Sequence, residues 1–302
     1  MARRGPPGSS RVAAPHPSKE ILVAAERMLV FIPMYNCERQ IPRVLARFGE
    51  ALQRRFAEII VVDNGSRDNG VEAAVTGLSK LVHLPGKVLV NDDNYNLGGS
   101  HKVAFEYALA HGFDQVVVLH GDDQADINDL VPHLDEGAYR AQDSLLGSRF
   151  MRGSRLQGYS HVRTLGNHVF NLLFSAAARH RVHDLGSGLN LYSARYLEPR
   201  FYLGFPDSLT FNIHMLLAGI HRRSRFGFFP LSWREEDQVS NVRMVRQSLQ
   251  TGRIALEFAR SPEAFLAKDW SSRPGRPYTS TVVAQVSGGH VDRTRAPAFP
   301  SR

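Results

Sequence analysis

The amino-acid sequence predicts an α/β fold, a doubly wound sheet with helices on both faces. Between residues 28 and 126, short apolar runs alternate with helical stretches in the order β-α-β-α-β-α-β, an order typical of this fold class. Each apolar run also ends in a polar turn. Because open α/β sheets bind ligands outside the carboxyl ends of their strands, these turns predict one functional edge.

The predicted strands of this first part are runs of β-branched and apolar residues, which suit strands buried on both faces of a sheet. They cover 28–33, 58–63, 87–90 and a run that begins at Gln115. Helices are predicted between them at 40–55, after the capping residues Asp68 or Asn69, and at 103–111.

The second half of the chain is less regular. Further strands are predicted at 144–147, 189–192 and 226–231, and further helices at 161–181, at 207–219 and up to about Ala259. The Gly- and Arg-rich stretch 150–160 is predicted to be a mobile loop.

The last predicted helix is amphipathic, and arginines flank its apolar face. That face consists of Val242, Val245, Leu249 and Leu256. A basic amphipathic helix can lie at an anionic membrane surface, or it can pack on the domain with its basic side in solvent. The sequence leaves both interpretations open.

Most of the net charge of +8 lies at the two ends of the chain. We therefore expect disordered basic tails at 1–20 and 269–302, around a main domain at 21–235 and a C-terminal helical segment at 236–268. The nearly neutral central part argues against a nucleic-acid partner. A single cysteine, Cys37, fits a reducing compartment, and no apolar run suits a membrane span or a secretory signal. We expect a cytoplasmic protein, peripheral at most to the inner face of the plasma membrane.

A cluster of polar residues follows the strand that begins at Gln115. It consists of Asp122, Asp123, Gln124 and Asp126. Closely spaced oxygen ligands suit Mg²⁺ or Mn²⁺, and Mg²⁺ usually takes one or two carboxylates together with substrate phosphates. A solvated turn that caps the next helix would have the same composition.

Eight segments of the chain, taken together and in this order, resemble the family-2 glycosyltransferases of the GT-A fold. The resemblance implies a Rossmann-like, doubly wound mixed sheet with helices on both faces. Within that family the chain is most similar to the dolichol- or polyprenyl-phosphate sugar synthases. The segments are PMYNCE (33–38), IIVVDNGSRDN (59–69), NYNLGGSHKVAFEYAL (94–109), VVVLHGDDQAD (116–126), LLGSRFMRG (145–153), RTLGNHVFN (163–171), VHDLGSGLNLYS (182–193) and WREEDQVSN (233–241).

The resemblance implies an inverting glycosyltransferase that uses Mg²⁺ or Mn²⁺. It would move a sugar from a nucleotide-diphosphate donor, of the GDP-mannose or UDP-hexose type, to polyprenyl phosphate. Asp122 would be the main metal ligand, with Gln124 beside it, while Arg149 and Arg163 would hold phosphate. The donor would be lined by Pro33, Tyr35, Asn36, Asp63, Asn64, Asn94, Gly98, Gly99, Asp122 and Arg149. The stretch 238–241 would help to close the site.

Two positions depart from the family pattern. His120 stands where the metal motif usually begins with an aspartate, and Asn64 replaces a second aspartate after the second strand. His120 either ligates the metal or packs, and we favour packing.

The acceptor is open to more than one interpretation. A phosphate monoester is already anionic at neutral pH, so it needs no general base. The one candidate base for a hydroxyl acceptor is Asp207, which also suits the start of a helix. A transfer to a saccharide or small-molecule hydroxyl is therefore the alternative reaction. A non-catalytic basic protein that binds lipid or nucleic acid is the alternative of another class.

Overall fold

The computed structural model describes residues 26–235 and 242–294. Within them, eleven strands are present: β1 Met28–Met34, β2 Glu58–Asp63, β3 Gly86–Asn91, β4 Gln115–Leu119, β5 Ser144–Ser148, β6 Arg155–Gln157, β7 Leu189–Ser193, β8 Phe226–Pro230, β9 Ser232–Arg234, β10 Ser280–Ser287 and β11 His290–Arg293. The α-helices are α1 Ile41–Ala46, α2 Glu50–Gln53, α3 Gly70–Leu78, α4 Asn96–Ala110, α5 Val131–Glu136, α6 His161–Ala178, α7 Ala194–Leu197, α8 Phe211–His221, α9 Val242–Arg260 and α10 Pro262–Ala267.

Nine of these strands form one mixed sheet in the order β11-β10-β3-β2-β1-β4-β7-β5-β8. The strands β3, β2, β1 and β4 are parallel, whereas β7 runs antiparallel to both β4 and β5. Strands β6 and β9 pair separately as a small second sheet. The predicted doubly wound mixed sheet is therefore confirmed.

Alternate side chains of the central strands feed two apolar layers. On β1, Val30 and Ile32 pack into the layer that contains α1 and α3, while Leu29 and Phe31 pack into the layer that contains α4 and α8. Side chains that alternate between the faces of a strand require cover on both sides. Helices on both faces supply it, as predicted.

Three predicted elements differ from the structure. The helix predicted at 40–55 is divided into α1 and α2, with Gly49 in an extended conformation between them. Helix α4 begins at Asn96 rather than Val103 because its polar first turns are buried against protein. The stretch predicted as a mobile loop at 150–160 contains β6.

The prediction of a disordered C-terminal tail at 269–302 is wrong for residues 269–294. Strand β10 pairs antiparallel with β3 and buries Val283, Ala284 and Val286. A strand there completes the backbone hydrogen bonds of an otherwise open sheet edge, and the Pro- and Arg-rich surroundings hid this run in the sequence. The predicted tail at 1–20 and residues 295–302 lie outside the described residues.

The C-terminal helix α9 has two apolar faces. Ile254, Ala255 and Phe258 are buried in the layer of α8, whereas Leu249 and Leu256 are 72% and 56% exposed. The side chains of Val242 and Val245 lie outside the described part. The sequence analysis found the exposed face of this helix and missed the packed one.

Helix α6 carries a row of exposed apolar side chains. Its members are Val162, Leu165, Val169 and Leu172, and each is more than half exposed. Below this row, Asn171 and Phe174 are buried. None of the helices in the described residues is long and apolar enough to cross a membrane.

We expect acid to destabilise the fold because it contains buried histidines, among them His214 and His101. The ring of His214 stacks on Phe265 with the centroids 4.9 Å apart, and its Nδ1 lies 3.0 Å from the carbonyl oxygen of Thr210. Burial lowers the pKa of His214 to about 4 and the pKa of His101 to about 3. Both side chains are therefore neutral in the folded protein at neutral pH.

Because the unfolded chain protonates these histidines at a pH where the folded protein does not, the free energy of unfolding falls below about pH 6.5. We expect a loss of about 2 kcal/mol per histidine between about pH 6.5 and about pH 5, measured by urea denaturation. The variant His214→Phe should lose only the contribution of His214. The same pH dependence in this variant would contradict the assignment.

Candidate active site

The loops that follow β1 and β2 are fastened to each other at the carboxyl edge of the sheet. The backbone N–H of Asn36 donates to Ser66 Oγ at 2.9 Å, and Asn36 Oδ1 accepts from the N–H of Arg67 at 2.8 Å. The N–H of Glu38 donates to Asp68 at 2.8 Å. These bonds place Asn36, which is predicted to line the nucleotide-sugar donor, beside the turn that follows Asp63.

Asp63 holds that turn with both oxygens of its carboxylate. One oxygen accepts from the backbone N–H groups of Gly65 and Ser66, each at 3.0 Å, and the other accepts from the Ser66 hydroxyl. Burial raises the pKa of Asp63, and these hydrogen bonds oppose the rise. Of the neighbouring predicted residues, Pro33 is buried within β1 and Tyr35 is 46% exposed.

Asn64 joins the loops after β2 and β3. Its Nδ2 donates to Asn94 Oδ1 at 2.8 Å, while its Oδ1 accepts from Asn91 Nδ2 at 2.9 Å and from the N–H of Tyr95 at 2.8 Å. A carboxylate cannot donate, so this network requires the amide. The structure thus brings Asn64 and Asn94 together and accounts for the departure from the family pattern.

Gly98 and Gly99 lie buried in the first turn of α4. A Cβ atom at Gly98 would lie 2.3 Å from the carbonyl oxygen of Pro206, and one at Gly99 would lie 2.3 Å from Cβ of Tyr95. The N–H of Gly98 also donates to the carbonyl oxygen of Asp207 at 2.6 Å. Close packing against protein accounts for both glycines without a ligand.

Two of the three acids that follow β4 have structural roles in the protein. Asp123 adopts a left-handed backbone conformation with φ 63° and forms ion pairs with Arg43, at 2.7 Å, and with Arg47. Asp126 caps a short 3₁₀ helix by accepting from the N–H of Asn128 at 3.0 Å. The capping interpretation is therefore correct for Asp126.

Asp122 is the remaining acid of the cluster. It forms no salt bridge within the part of the chain that the structure describes, and it accepts a hydrogen bond from the N–H of Gln124 at 3.2 Å. Burial raises the pKa of Asp122 to about 6, and the charge of Asp123 adds to the rise. A partly buried carboxylate without a cation is a position that a metal ion would stabilise.

The donor set at this loop fits a metal ion that relies on its substrate for ligands. Among the described residues, no group of three His, Cys, Asp or Glu side chains could hold a metal. Asp122 and the amide of Gln124 offer hard oxygen ligands, which Mg²⁺ and Mn²⁺ prefer. Mg²⁺ commonly completes its shell with water and substrate phosphates.

His120 packs inside the site. Its ring meets His101 edge to face with the centroids 6.0 Å apart, and its Nε2 is enclosed without a hydrogen-bond partner in the described structure. Burial lowers the pKa of His120 to about 4, and the positive charge of Arg149 adds to this effect. This neutral, enclosed ring fits the packing interpretation.

Arg149 is held by a carboxylate that the sequence analysis did not assign to it. Its Nε and Nη2 donate to the two carboxylate oxygens of Asp184 at 2.9 and 2.8 Å, and Nη2 also donates to the carbonyl oxygen of Gly186 at 3.0 Å. The guanidinium lies 5.0 Å from the centroid of Trp233. Burial acts to lower the pKa of Arg149, but Asp184 outweighs it and raises that pKa.

Arg163 lies in the first turn of α6 and is less enclosed. Its Nη1 donates to Glu235, its guanidinium lies 4.9 Å from the centroid of Tyr159, and its side chain is 36% exposed. Glu235 is the last described residue before 236–241. The stretch 238–241, which was predicted to help close the site, therefore lies outside the described residues. The sequence contains both carboxylates within the resembling segments, but a single sequence carries no signal that pairs them with these arginines.

Strand β9 borders the loop that carries Asp122. The N–H of Arg234 donates to the carbonyl oxygen of Gln124 at 2.9 Å, and Trp233 forms an isolated bridge with Ala125. Trp233 therefore touches both the acidic loop and Arg149. The small second sheet therefore connects the loop that carries Asp122 with Arg149.

Asp207, the candidate base for a hydroxyl acceptor, is committed to a buried network. Its Oδ1 lies 2.7 Å from Lys102 Nζ and accepts from the Tyr278 hydroxyl at 2.7 Å, and its Oδ2 accepts from the N–H of Ser272 at 2.9 Å. Burial acts to raise the pKa of Asp207, but the hydrogen bonds from Lys102, Ser272 and Tyr278 lower it below its usual value. Helix α8 begins only at Phe211, so Asp207 is not a residue of its first turn.

Comparison with known proteins bears on this site. The polyprenol monophosphomannose synthase of Mycolicibacterium smegmatis is 26% identical over 176 residues, which cover 57% of this chain and 64% of that protein. The undecaprenyl-phosphate mannosyltransferase of Micrococcus luteus is 28% identical over 195 residues, which cover 61% of this chain and 76% of that protein. The chain therefore spans somewhat less than two thirds of the first relative's length.

Solved structures share the fold. The glucosyl-3-phosphoglycerate synthase from Mycobacterium tuberculosis, solved with Mn²⁺, UDP-glucose and phosphoglyceric acid, superposes with a TM-score of 0.57 at 16% identity, covering 78% of this chain and 80% of that one. This likeness identifies the large mixed sheet and its flanking helices as a GT-A fold.

The family model described as Glycosyl transferase family 2 matches residues 29–201. This match covers more than half of the chain, including the four parallel strands and the loop of Asp122, and the chain therefore belongs to glycosyl transferase family 2.

Proposed function

We propose that this protein transfers a hexose from a nucleotide-diphosphate sugar, of the GDP-mannose or UDP-hexose type, to a polyprenyl phosphate with the help of Mg²⁺ or Mn²⁺. The observation that carries the proposal is Asp122, a partly buried carboxylate without a salt bridge in the described structure, at the carboxyl end of β4. The names of the two sequence relatives supply the class of acceptor.

The donor would lie against the fastened loops after β1, β2 and β3. Tyr35 and Asn36 on the first loop are exposed at this edge, and Asp63 and Asn64 hold the second loop in one conformation. Loops held by so many hydrogen bonds lose little conformational entropy when a ligand binds. They would therefore recognise the nucleotide with a largely preformed surface.

Asp122 and Gln124 would hold the metal ion beside the donor diphosphate. A divalent cation at this point supplies Lewis-acid stabilisation of the leaving nucleotide. The ion pairs of Asp123 with Arg43 and Arg47 hold the loop in place, so that Asp122 keeps its position.

The site that binds the acceptor phosphate needs a group that attracts phosphate, but it needs no general base. Arg163 is the more accessible of the two predicted phosphate ligands, since Arg149 is enclosed by Asp184. An acceptor phosphate would compete with Glu235 for the Arg163 guanidinium. Because Asp207 is bound within its own network, a hydroxyl acceptor would find no base there, and this supports the phosphate acceptor.

The exposed apolar side chains support work at a membrane surface. We propose that this surface is the cytoplasmic face of the plasma membrane. The row on α6 would lie in the interfacial region of the bilayer. Beside it, a groove of about 510 Å³ lies between α6 and α9. It is lined by Leu173, Leu249 and Leu256 and bordered by charged side chains of α9, among them Arg253 and Arg260. This groove would accommodate part of an isoprenoid chain.

The proposal is tested by incubating the full chain in detergent with a short polyprenyl phosphate, Mn²⁺ or Mg²⁺, and a panel of GDP- and UDP-sugars. We expect one sugar-phosphate-lipid product, identified by mass. The matched control is the same polyprenol without its phosphate, which should accept no sugar. Transfer to the polyprenol, or to a saccharide hydroxyl in place of the lipid phosphate, would contradict the proposed acceptor.

A further inference from the structure

A second cavity lies beside α6, and Phe150, the residue after Arg149, lines part of it. It has a volume of about 640 Å³ and lies between the second half of α6 and the segment that follows it, 179–183. That segment is fastened to the helix, because Asn171 Nδ2 donates to the carbonyl oxygen of His183 at 2.7 Å and the N–H of Val182 donates to Ser175 Oγ at 2.9 Å. The walls of the cavity are therefore fixed before any ligand binds.

The cavity is lined by cations and histidines. Arg179 and Arg181 face it together with His168, His180 and His183, and none of the described residues that line it is acidic. Neither arginine forms a salt bridge with any residue in the described ranges, in contrast to Arg149 and Arg163, which are paired with carboxylates. Two uncompensated guanidinium groups at one cavity favour an anionic ligand, above all a phosphate.

The apolar row of α6 indicates where that phosphate comes from. Leu172 lines the cavity and is also the last member of the row, with 72% of its side chain exposed. A ligand in the cavity therefore lies at the margin of the surface proposed to enter the bilayer. Headgroup phosphates occupy this depth in a membrane, next to the apolar face of an interfacial helix.

We infer that the cavity formed by Arg179, Arg181 and the histidines of α6 and its following segment binds the phosphate headgroup of an anionic phospholipid. The inference rests on the proposed function at a membrane surface. It adds a lipid site that adjoins Arg149 through Phe150 but is lined by none of the residues proposed to hold the donor, the metal ion or the acceptor. The bound headgroup holds α6 flat on the bilayer, with its apolar row facing the acyl chains.

The test measures binding of the full chain to phosphatidylcholine vesicles with and without phosphatidylglycerol by co-sedimentation. Replacing both arginines, as Arg179→Gln and Arg181→Gln, should weaken binding to the anionic vesicles about thirtyfold, the loss expected for two cations near an anionic surface. Binding to the neutral vesicles should stay the same. Lysine at both positions should restore most of the binding, because the charge returns.

The matched control removes two charges from the opposite face of the sheet, as Arg54→Gln and Arg55→Gln, and should change binding less than twofold. Equal losses in the two double variants would overturn the inference, since the effect would then be one of net charge. Tight binding of inorganic phosphate that depends on Arg179 and Arg181 but does not compete with the vesicles would overturn it as well. Sugar transfer in detergent does not require vesicles, so it separates a failure of this site from a failure of the proposed reaction.

Discussion

Replacing Asp122 with asparagine is expected to lower kcat by at least about 10³-fold, the scale on which losing a preorganised electrostatic contact slows a reaction. The neutral amide is nearly the same size but is a far weaker ligand for a hard cation. The fold should be as stable as before, because the variant removes a partly buried charge that has no salt bridge in the described structure. Transfer is measured with saturating donor over a range of Mn²⁺ concentrations, and stability by urea denaturation.

The variant Asp126→Asn is the matched control, since it makes the same change four residues along the same loop. Asp126 caps a 3₁₀ helix and has a long contact of 3.8 Å with Arg47. We expect less than a twofold change in kcat and a loss of at most about 1 kcal/mol of stability, because asparagine is also a good cap. Full activity in Asp122→Asn, or equal losses in the two variants, would contradict the metal assignment.

The fold was predictable where the sequence pattern is local. The four parallel strands are unbroken apolar runs, and a run such as VVVL before a polar turn has few alternatives in an α/β chain. Strand β10 was missed because its apolar run stands within a stretch of tail-like composition, and its partner β3 lies about 190 residues earlier. Pairing over that separation leaves no periodicity in the sequence.

The site was predictable in position but not in detail. The polar loops at the carboxyl edge meet as expected, because strand order fixes which turns are neighbours. However, the cluster of acids does not by itself distinguish Asp122 from Asp123, and only the family resemblance selected Asp122. In the structure the two differ because Arg43 of α1 and Arg47 of the turn after it reach the carboxylate of Asp123. The partners of Arg149 and Arg163 were missed for the same reason, since ion pairs join segments that are distant along the chain.

The second large effect is expected at the buried ion pair of Lys102 and Asp207. Both side chains are almost fully buried, at 0% and 2% exposure. The variant Lys102→Met leaves the Asp207 carboxylate buried without its counter-charge, and we expect a loss of about 3 kcal/mol of stability. The exposed i,i+4 pair of Arg253 and Glu257 supplies the control, since Arg253→Met should cost less than about 0.5 kcal/mol.

The double variant, Lys102→Met with Asp207→Asn, removes both charges. The amide oxygen can still accept from the N–H of Ser272, and the amide NH₂ can donate to the Tyr278 hydroxyl. It should recover about 2 kcal/mol of the loss, because no buried charge is left unpaired.

The same variant also separates the two acceptor hypotheses. If Asp207 serves only the fold, the double variant transfers sugar to polyprenyl phosphate at a nearly normal kcat and with an unchanged pH profile. If Asp207 were a general base, kcat would fall by about 10² or more in every variant that lacks the carboxylate, however stable the protein. Because stability and catalysis are measured on the same molecules, a structural ion pair and a catalytic base cannot be mistaken for each other.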